Sequence, residues 1–500
     1  MHSVYRLSFL IIVFLFLVYA CNEETTIAPP PDVDDTNNGF ESREVAQIFV
    51  KNCLESGCHG DSEPHHNLKL TSFSEMIKGS IGRTLDDHQH KMMSKVFHGD
   101  DPYGGSPIVP FNAEKSLMYI LLTGGTEDQT QRMPYQKSSL SQVDINTIKD
   151  WINDGARDYN GNVPYSTDEK IFVCNQGSDE VFEIDTDYKV VSRIINVDLT
   201  PTLVDAPHNV QIRNGFYYVS LIAAGKLLKI DAATNQIVGQ VSGLVYAGMI
   251  QLTNNGRTAF VSRSSTAPDL YNTIYAIDTE TMTLKKEISM PASGLPHAMW
   301  LTSDDTKLYV GNMKQDIISI IDVATLEWED DIDLSDNPAP YYEPMHLYVS
   351  PDDKYLYVNC RTSSSMLVIK LETKQIIQEL PIQDHPMQSA ITEDGNKIYT
   401  VSHHEPIITE ITKTGETWSI TREFTSEAFH HLYGADISRD GKYLYVTCSN
   451  NDPDHPFEPH YKTPGVSRPS LVCIYDIAQN EIVKIIDVGS FATGIAAREN

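Results

Sequence analysis

Hydrophobic and polar positions follow two different rhythms along this 500-residue chain, and the change of rhythm divides it. From about residue 165 onward the period is two, in runs of five or six residues rich in Val, Ile, Leu and Tyr, which predicts short strands. Ala298–Val310, Leu347–Val358 and Ala435–Val446 each read as a strand, a turn carrying Asp or Gly, and a second strand ending in Tyr-Val. A third strand ending in Asp follows, as in Ile318-Ser319-Ile320-Ile321-Asp322 and Val472-Cys473-Ile474-Tyr475-Asp476, and then an edge-like fourth. The unit recurs about every 40 to 50 residues, and four short antiparallel strands per unit predict a propeller blade. Blades begin near Pro207, Ala247, Pro296, Pro344, Pro386 and Leu432, with an incomplete one at Lys170-Ile171-Phe172-Val173. Its missing inner strand is expected from Phe491–Ala497, so that both ends of the chain close a ring of seven blades.

Before residue 160 the rhythm is helical. Val45, Ile48 and Phe49 fall on one face of a short helix ending near Cys53. Val143, Ile148, Trp151 and Ile152 form the apolar stripe of a second helix, with Ser141 as its N-cap and Gly155 as its stop. The two rhythms predict a multidomain protein, with a small all-α unit over residues 41–160 and an all-β seven-bladed propeller over residues 165–500.

The helical unit carries the sharpest chemical signal, Asn52-Cys53-Leu54-Glu55-Ser56-Gly57-Cys58-His59. Two cysteines followed directly by a histidine are the groups needed to attach a haem, through two thioethers and one axial imidazole. The spacing is C-x4-C-H instead of C-x-x-C-H, and Gly57 supplies the backbone freedom for the extra residues. A small disulfide loop and a zinc site are the alternatives for the same residues. With Gln131-Arg132-Met133-Pro134-Tyr135 and the Trp151 helix downstream, the unit resembles the class I c-type cytochromes. It is most similar to the single-haem domains of planctomycete and Bacteroidetes exported proteins, where C-x4-C-H also occurs. The resemblance implies one covalent haem c on Cys53 and Cys58, with His59 and Met133 as axial ligands of the iron, and electron transfer as the task. A bis-histidine iron using His65, His66, His88, His90 or His98 is the alternative, and Met92 and Met93 lie in the same unit.

The first twenty residues change the expected address. Arg6 precedes an apolar run from Leu7 to Leu17, the pattern of an export signal too short to span a membrane comfortably. Leu17-Val18-Tyr19-Ala20-Cys21 resembles the lipobox of bacterial lipoproteins, which implies lipidation at Cys21 and an outer-membrane lipoprotein on its periplasmic or cell-surface side. Residues 21–40 are Pro- and Asp-rich and read as a disordered tether. Contact with the membrane is then through the lipid alone. A formal net charge of −30 argues against nucleic acid or an anionic membrane surface as the principal partner and leaves cationic or neutral partners open, while the cytochrome resemblance implies a redox partner protein.

The propeller resembles the YVTN-type and lactonase-like seven-bladed propellers, a fold that hosts unrelated functions. The starts of its inner strands place His208, His297, Met345, Met387 and Tyr433 at one level of the central channel, with His346, His385, His430 and His431 nearby. Imidazole and thioether suit copper or haem iron, so a second metal or haem in the channel is one reading. It would make the chain an oxidoreductase similar in architecture to the cytochrome-plus-propeller nitrite reductases. Packing between blades is the other reading of those histidines, and a structural or adhesive propeller is a third reading of the whole. Cys448 and Cys473 fall on neighbouring strands and are candidates to pair, and the insertion Asn450–Pro469 with His455 and His460 joins those strands as a lid or docking loop.

Overall fold

In a computed structural model, the described residues are 37–79, 106–124, 132–200, 204–264, 270–335, 341–426, 428–449 and 470–499. The 28 strands, β1 to β28 in chain order, form seven antiparallel sheets of four strands. The innermost strands are β4 (Pro207–Arg213), β8 (Ala247–Leu252), β12 (Pro296–Leu301), β16 (Pro344–Val349), β20 (Pro386–Ile391), β24 (Leu432–Ile437) and β28 (Ala492–Ala496). Each lies beside the next around a closed ring. β28 pairs with β1 (Lys170–Asn175), Val173 opposite Ile495, so the C-terminal end completes the first blade. The sequence pattern marked these blade starts and this closure correctly.

Recurring side chains make the turns recur. Between the first and second strands of a blade, one Ser or Thr hydroxyl closes the turn. Ser438 Oγ accepts the N–H groups of Lys442 (3.0 Å) and Tyr443 (2.9 Å) and donates to Asp440 at 2.6 Å. Thr302 and Ser350 do the same with Asp304 and Asp352, while Thr392 donates to Asp394 and accepts one N–H, that of Lys397. The residue three places on takes a left-handed conformation, at Asp305, Asp353, Gly395 and Gly441. The aspartate ending the third strand accepts N–H groups of the next turn, as Asp278 does from Glu280 and Thr281. Side chains between blades form the core, and Trp418 is its largest fully buried member.

The expected small all-α cytochrome domain is overturned. The chain is nearly all β, and its α-helices among the described residues are four and short: α1 (Arg43–Asn52), α2 (Phe73–Met76), α3 (Leu117–Thr123) and α4 (Gln142–Asn153). Their apolar faces do not pack on one another alone, because the first blade and the segment before it share the same core. Val190 of the blade joins the helices' core, and Val109 beside α3 joins the core between the first and last blades. Tyr165 O–H donates to the Ile77 carbonyl at 3.0 Å and bonds Ser106 Oγ at 2.7 Å. Arg193 lies over the Phe111 ring at 5.1 Å. Cys21, the signal over residues 1–20, most of the tether, His88, His90, Met92, Met93, His98 and the Asn450–Pro469 insertion lie outside the described residues. No helix among the described residues is long and apolar enough to cross a membrane.

Candidate functional site

Ser42 Oγ starts α1 by accepting the Val45 N–H at 3.2 Å, and Val45, Ala46, Ile48 and Phe49 bury its inner face. Cys53 is its C-cap, donating its N–H to Phe49 O at 2.8 Å. The chain then turns through Gly57 at φ +77°, where a glycine is favoured. Cys58 N–H reaches Glu55 O and His59 N–H reaches Cys53 O, both at 2.9 Å, so one hydrogen-bonded turn holds both cysteines and the histidine. A Cβ on Gly60 would lie 2.5 Å from Leu54 O, so the turn closes too tightly there for any other residue. His59 Nδ1–H donates to Leu68 O at 3.1 Å, which assigns the lone pair to Nε2.

Met133 lies in the segment that follows α3. Its N–H donates to Leu121 O at 2.9 Å, and its side chain packs against the apolar core that Cys53 and Leu54 also touch. Lys137 pairs with Glu55, joining the Met133 segment to the cysteine loop. Cys53 and Cys58 are not bonded to each other. Burial pushes the Cys53 thiol up to about 12, Cys58 adds to the rise and Lys137 opposes it. The structure therefore brings Cys53, Cys58 and His59 into one turn and sets Met133 on the same core. His65 follows that turn, giving its N–H to Cys58 O at 2.6 Å, and is exposed.

Each of the three channel histidines makes a hydrogen bond to a neighbouring blade. Gln176 Nε2 donates to His208 Nδ1, so the His208 proton sits on Nε2, which has no hydrogen-bond partner among the described residues. His346 Nδ1 accepts the Ser389 N–H at 3.3 Å, which likewise places its proton on Nε2. His297 Nδ1–H donates across to Met345 O of the next blade at 3.0 Å. His208 lies 6.1 Å from His297 and 6.2 Å from Tyr433, ring to ring, whereas His346 stands against Trp300. Met345 and Met387 are buried in the core with Leu432. Burial lowers the three histidines to about 3 for His208, 4 for His297 and 3 for His346, and raises Tyr433 to about 12. Two of the three imidazoles thus direct an N–H where a metal ligand needs a lone pair. Cys448 and Cys473 touch at 3.7 Å between sulfurs without a bond.

Two further features stand out on the propeller. At the face where the inner strands end lies a cavity of about 1170 Å³, with Trp300, Tyr348, Arg193 and Arg498 in its walls. At the opposite face, loops bring Asp384, His385, His403, His404, His430 and His431 together. Sequence reasoning missed Asp384, His403 and His404 in this group. The signal was available in the doublets His403-His404 and His430-His431, each placed at a strand end on that face.

No protein-family model matches the chain, and no curated protein is similar to it. Solved structures share its shape at low identity. A functionally unknown protein from Desulfotomaculum acetoxidans is 12% identical, with a TM-score of 0.52 over 66% of this chain and 99% of that one. Kuenenia stuttgartiensis hydrazine synthase is 17% identical, with a TM-score of 0.43 over 54% of this chain and 76% of that one. The Cps50 (Swd1) β-propeller domain of Myceliophteria thermophila is 12% identical, with a TM-score of 0.46 over 57% of this chain and 87% of that one. At such identities the likeness speaks to fold alone, and the seven blades are read from the strand order of this chain itself.

Proposed function

We propose that the Cys53–His59 loop carries one covalently attached haem and that the protein transfers single electrons to a protein partner docked on its propeller. The observation that carries this reading is the His59 Nδ1–H bond to Leu68 O, directly after two unbonded cysteines in one turn. A metal-binding imidazole needs its other nitrogen held in this way, and the bond presents Nε2 as the ligand. The donor set fits the group. Cys53 and Cys58 would hold the group covalently through their sulfurs, which lie in one turn and are not bonded to each other. His59 would bind the iron, and Met133, packed on the same core, would be its second ligand. When bound, the haem supplies a one-electron couple, and a thioether ligand raises its potential relative to a second histidine.

The same reading includes export, lipid attachment at Cys21 and a site of action at the bacterial outer membrane. It rests on the Leu7–Leu17 run and the Leu17–Cys21 segment. It requires no separate cytochrome fold, only the loop, its ligands and the core behind them. The Tyr-Val strand ends support a YVTN-like propeller as the docking module. The test is to mature the full chain with haem-attachment machinery and to measure pyridine haemochrome after denaturing extraction. One covalent haem per chain is expected, and the absence of covalent haem overturns the proposal.

A further inference from the structure

The histidine cluster at the channel mouth has a different character from the histidines inside the channel. Asp384 and His385 lie in the loop leading into β20, and His403 and His404 follow the next strand, β21 (Lys397–Ser402), on the same face. The two loops are already tied, because His403 N–H donates to His385 O at 3.0 Å. The Asp384 carboxylate receives two imidazole N–H groups, His385 Nδ1 at 2.8 Å on one oxygen and His404 Nδ1 at 3.3 Å on the other. The two rings lie 3.6 Å apart at 29°. One potential ligand atom from each of the three residues lies within 4.8 Å of the others. A metal ion bound at about 2.0 to 2.2 Å by nitrogen and oxygen asks only for small side-chain rotations from such a triangle. More imidazoles stand behind it. His403 is 5.5 Å from His404 and 4.5 Å from His431, whose neighbour His430 is 4.3 Å away, all ring to ring.

Five clustered imidazoles are an unusual use of this residue in a chain with 17 histidines. The backbone does not explain them. His385 and His431 have positive φ, but so do Ala206, Tyr246 and Glu343 just before their own inner strands, so that conformation belongs to the repeat and not to the histidine. The side chains of His404 and Asp384 are about half exposed, so an ion reaches them from solvent.

We infer that Asp384, His385 and His404 form a binding site for one divalent first-row transition ion, with the His403 ring, 5.5 Å from that of His404, as a further imidazole beside it. The ion takes the place of the two Nδ1 protons now directed at the carboxylate, and each neutral imidazole carries its proton on Nε2 instead. Nitrogen-rich sites of this type favour copper(II) over zinc(II). This inference goes beyond the haem proposal and does not depend on it.

The test uses the full chain, free of any histidine tag and stripped with chelator, titrated separately with copper(II) and zinc(II) against a competing chelator. One equivalent of copper(II) is expected, with imidazole nitrogen couplings in the copper resonance spectrum. H404A and D384N each weaken it about 100-fold, as loss of a ligand group does. H208Q leaves the affinity unchanged. The inference is overturned if neither ion binds, if H404A and D384N bind as tightly as the wild-type chain, or if H208Q is the variant that removes the ion. The His404 side chain is exposed on a loop, and an unchanged melting curve for H404A separates lost binding from lost folding.

Discussion

The helical segment and the propeller treat the same two residue types, cysteine and histidine, in opposite ways. In the propeller, Cys174, Cys360, Cys448 and Cys473 are fully buried among apolar side chains, and His208, His297 and His346 are bonded to neighbouring blades. In the helical segment, Cys53 and Cys58 are partly exposed in a tight turn, and a backbone carbonyl fixes the tautomer of His59. A repeat architecture shares its stability among many equivalent turns and interfaces. Its inward histidines are absorbed by that packing. Groups poised for outside chemistry collect where the repeat stops, in the helices before the first blade and in the loops at the channel mouth.

The largest effect expected from this contrast is all-or-none. C53A/C58A should lose all covalent haem while the melting temperature of the propeller stays where it was, as pyridine haemochrome and circular dichroism would report. A propeller that fails to fold without those sulfurs would erase the contrast. Next in size are the two cores. W418A removes a fully buried ring whose Nε1–H donates to Tyr357 O–H at 3.3 Å, and should cost about 3–5 kcal/mol in urea unfolding. F40A removes the ring that meets Phe49, Phe73 and Trp151 at 5.4 to 5.7 Å. Its loss should speed hydrogen exchange in α1 and α4 and leave the last three blades protected. Equal loosening of both regions would show that the helices and blades unfold as one unit.

Acid should sharpen the contrast further. His208, His297 and His346 are held neutral in the folded protein down to about 3, 4 and 3, whereas an unfolded histidine takes a proton near 6.5. Between those values the unfolded chain binds more protons, so stability is complete above about pH 6.5 and falls as the pH drops. Each histidine contributes about 1.4 kcal/mol per pH unit in that window. Urea midpoints at pH 7 and pH 5 should therefore differ strongly, and H297Q should reduce the difference even if it weakens the protein at both values. An H297Q difference as large as that of the wild-type chain would falsify the assignment.

The propeller was legible because its signals repeat. Pro207, Ala247, Pro296, Pro344, Pro386 and Leu432 each open an inner strand where the pattern of alternation says they should. Ser141 caps α4 by accepting the Asp144 N–H at 3.1 Å, and Gly155 follows its end at φ +105°, so local cap chemistry was legible too. The autonomy of the helices was not. A stripe such as Val143, Ile148, Trp151 and Ile152 announces a buried face without saying what buries it, and Val143 itself is 73% exposed. Val190 and Tyr165, distant in sequence, complete that core. Nor does sequence reveal which ring nitrogen carries a proton, since that depends on partners such as Gln176 and Leu68. The channel-mouth cluster joins loops about twenty residues apart, and only the blade topology brings them together.

The smallest effect separates the two regions at the level of single hydroxyls. Ser141 is a solvent-exposed helix cap, and S141A should cost about 1 kcal/mol, confined to α4. Ser438 also accepts backbone N–H groups, but it is 5% exposed and serves two of them at once. Removing its oxygen leaves buried donors unpaired, which costs about 1–3 kcal/mol. S438A should therefore lower the urea midpoint of the propeller by more than S141A lowers that of the helices. Because Ser350 closes an equivalent turn, 2% exposed and accepting the N–H groups of Lys354 and Tyr355, S350A should match S438A. A much smaller loss at Ser350 would mean that the blades do not share their stability evenly, and that the ring is held mainly at the seam where β28 meets β1.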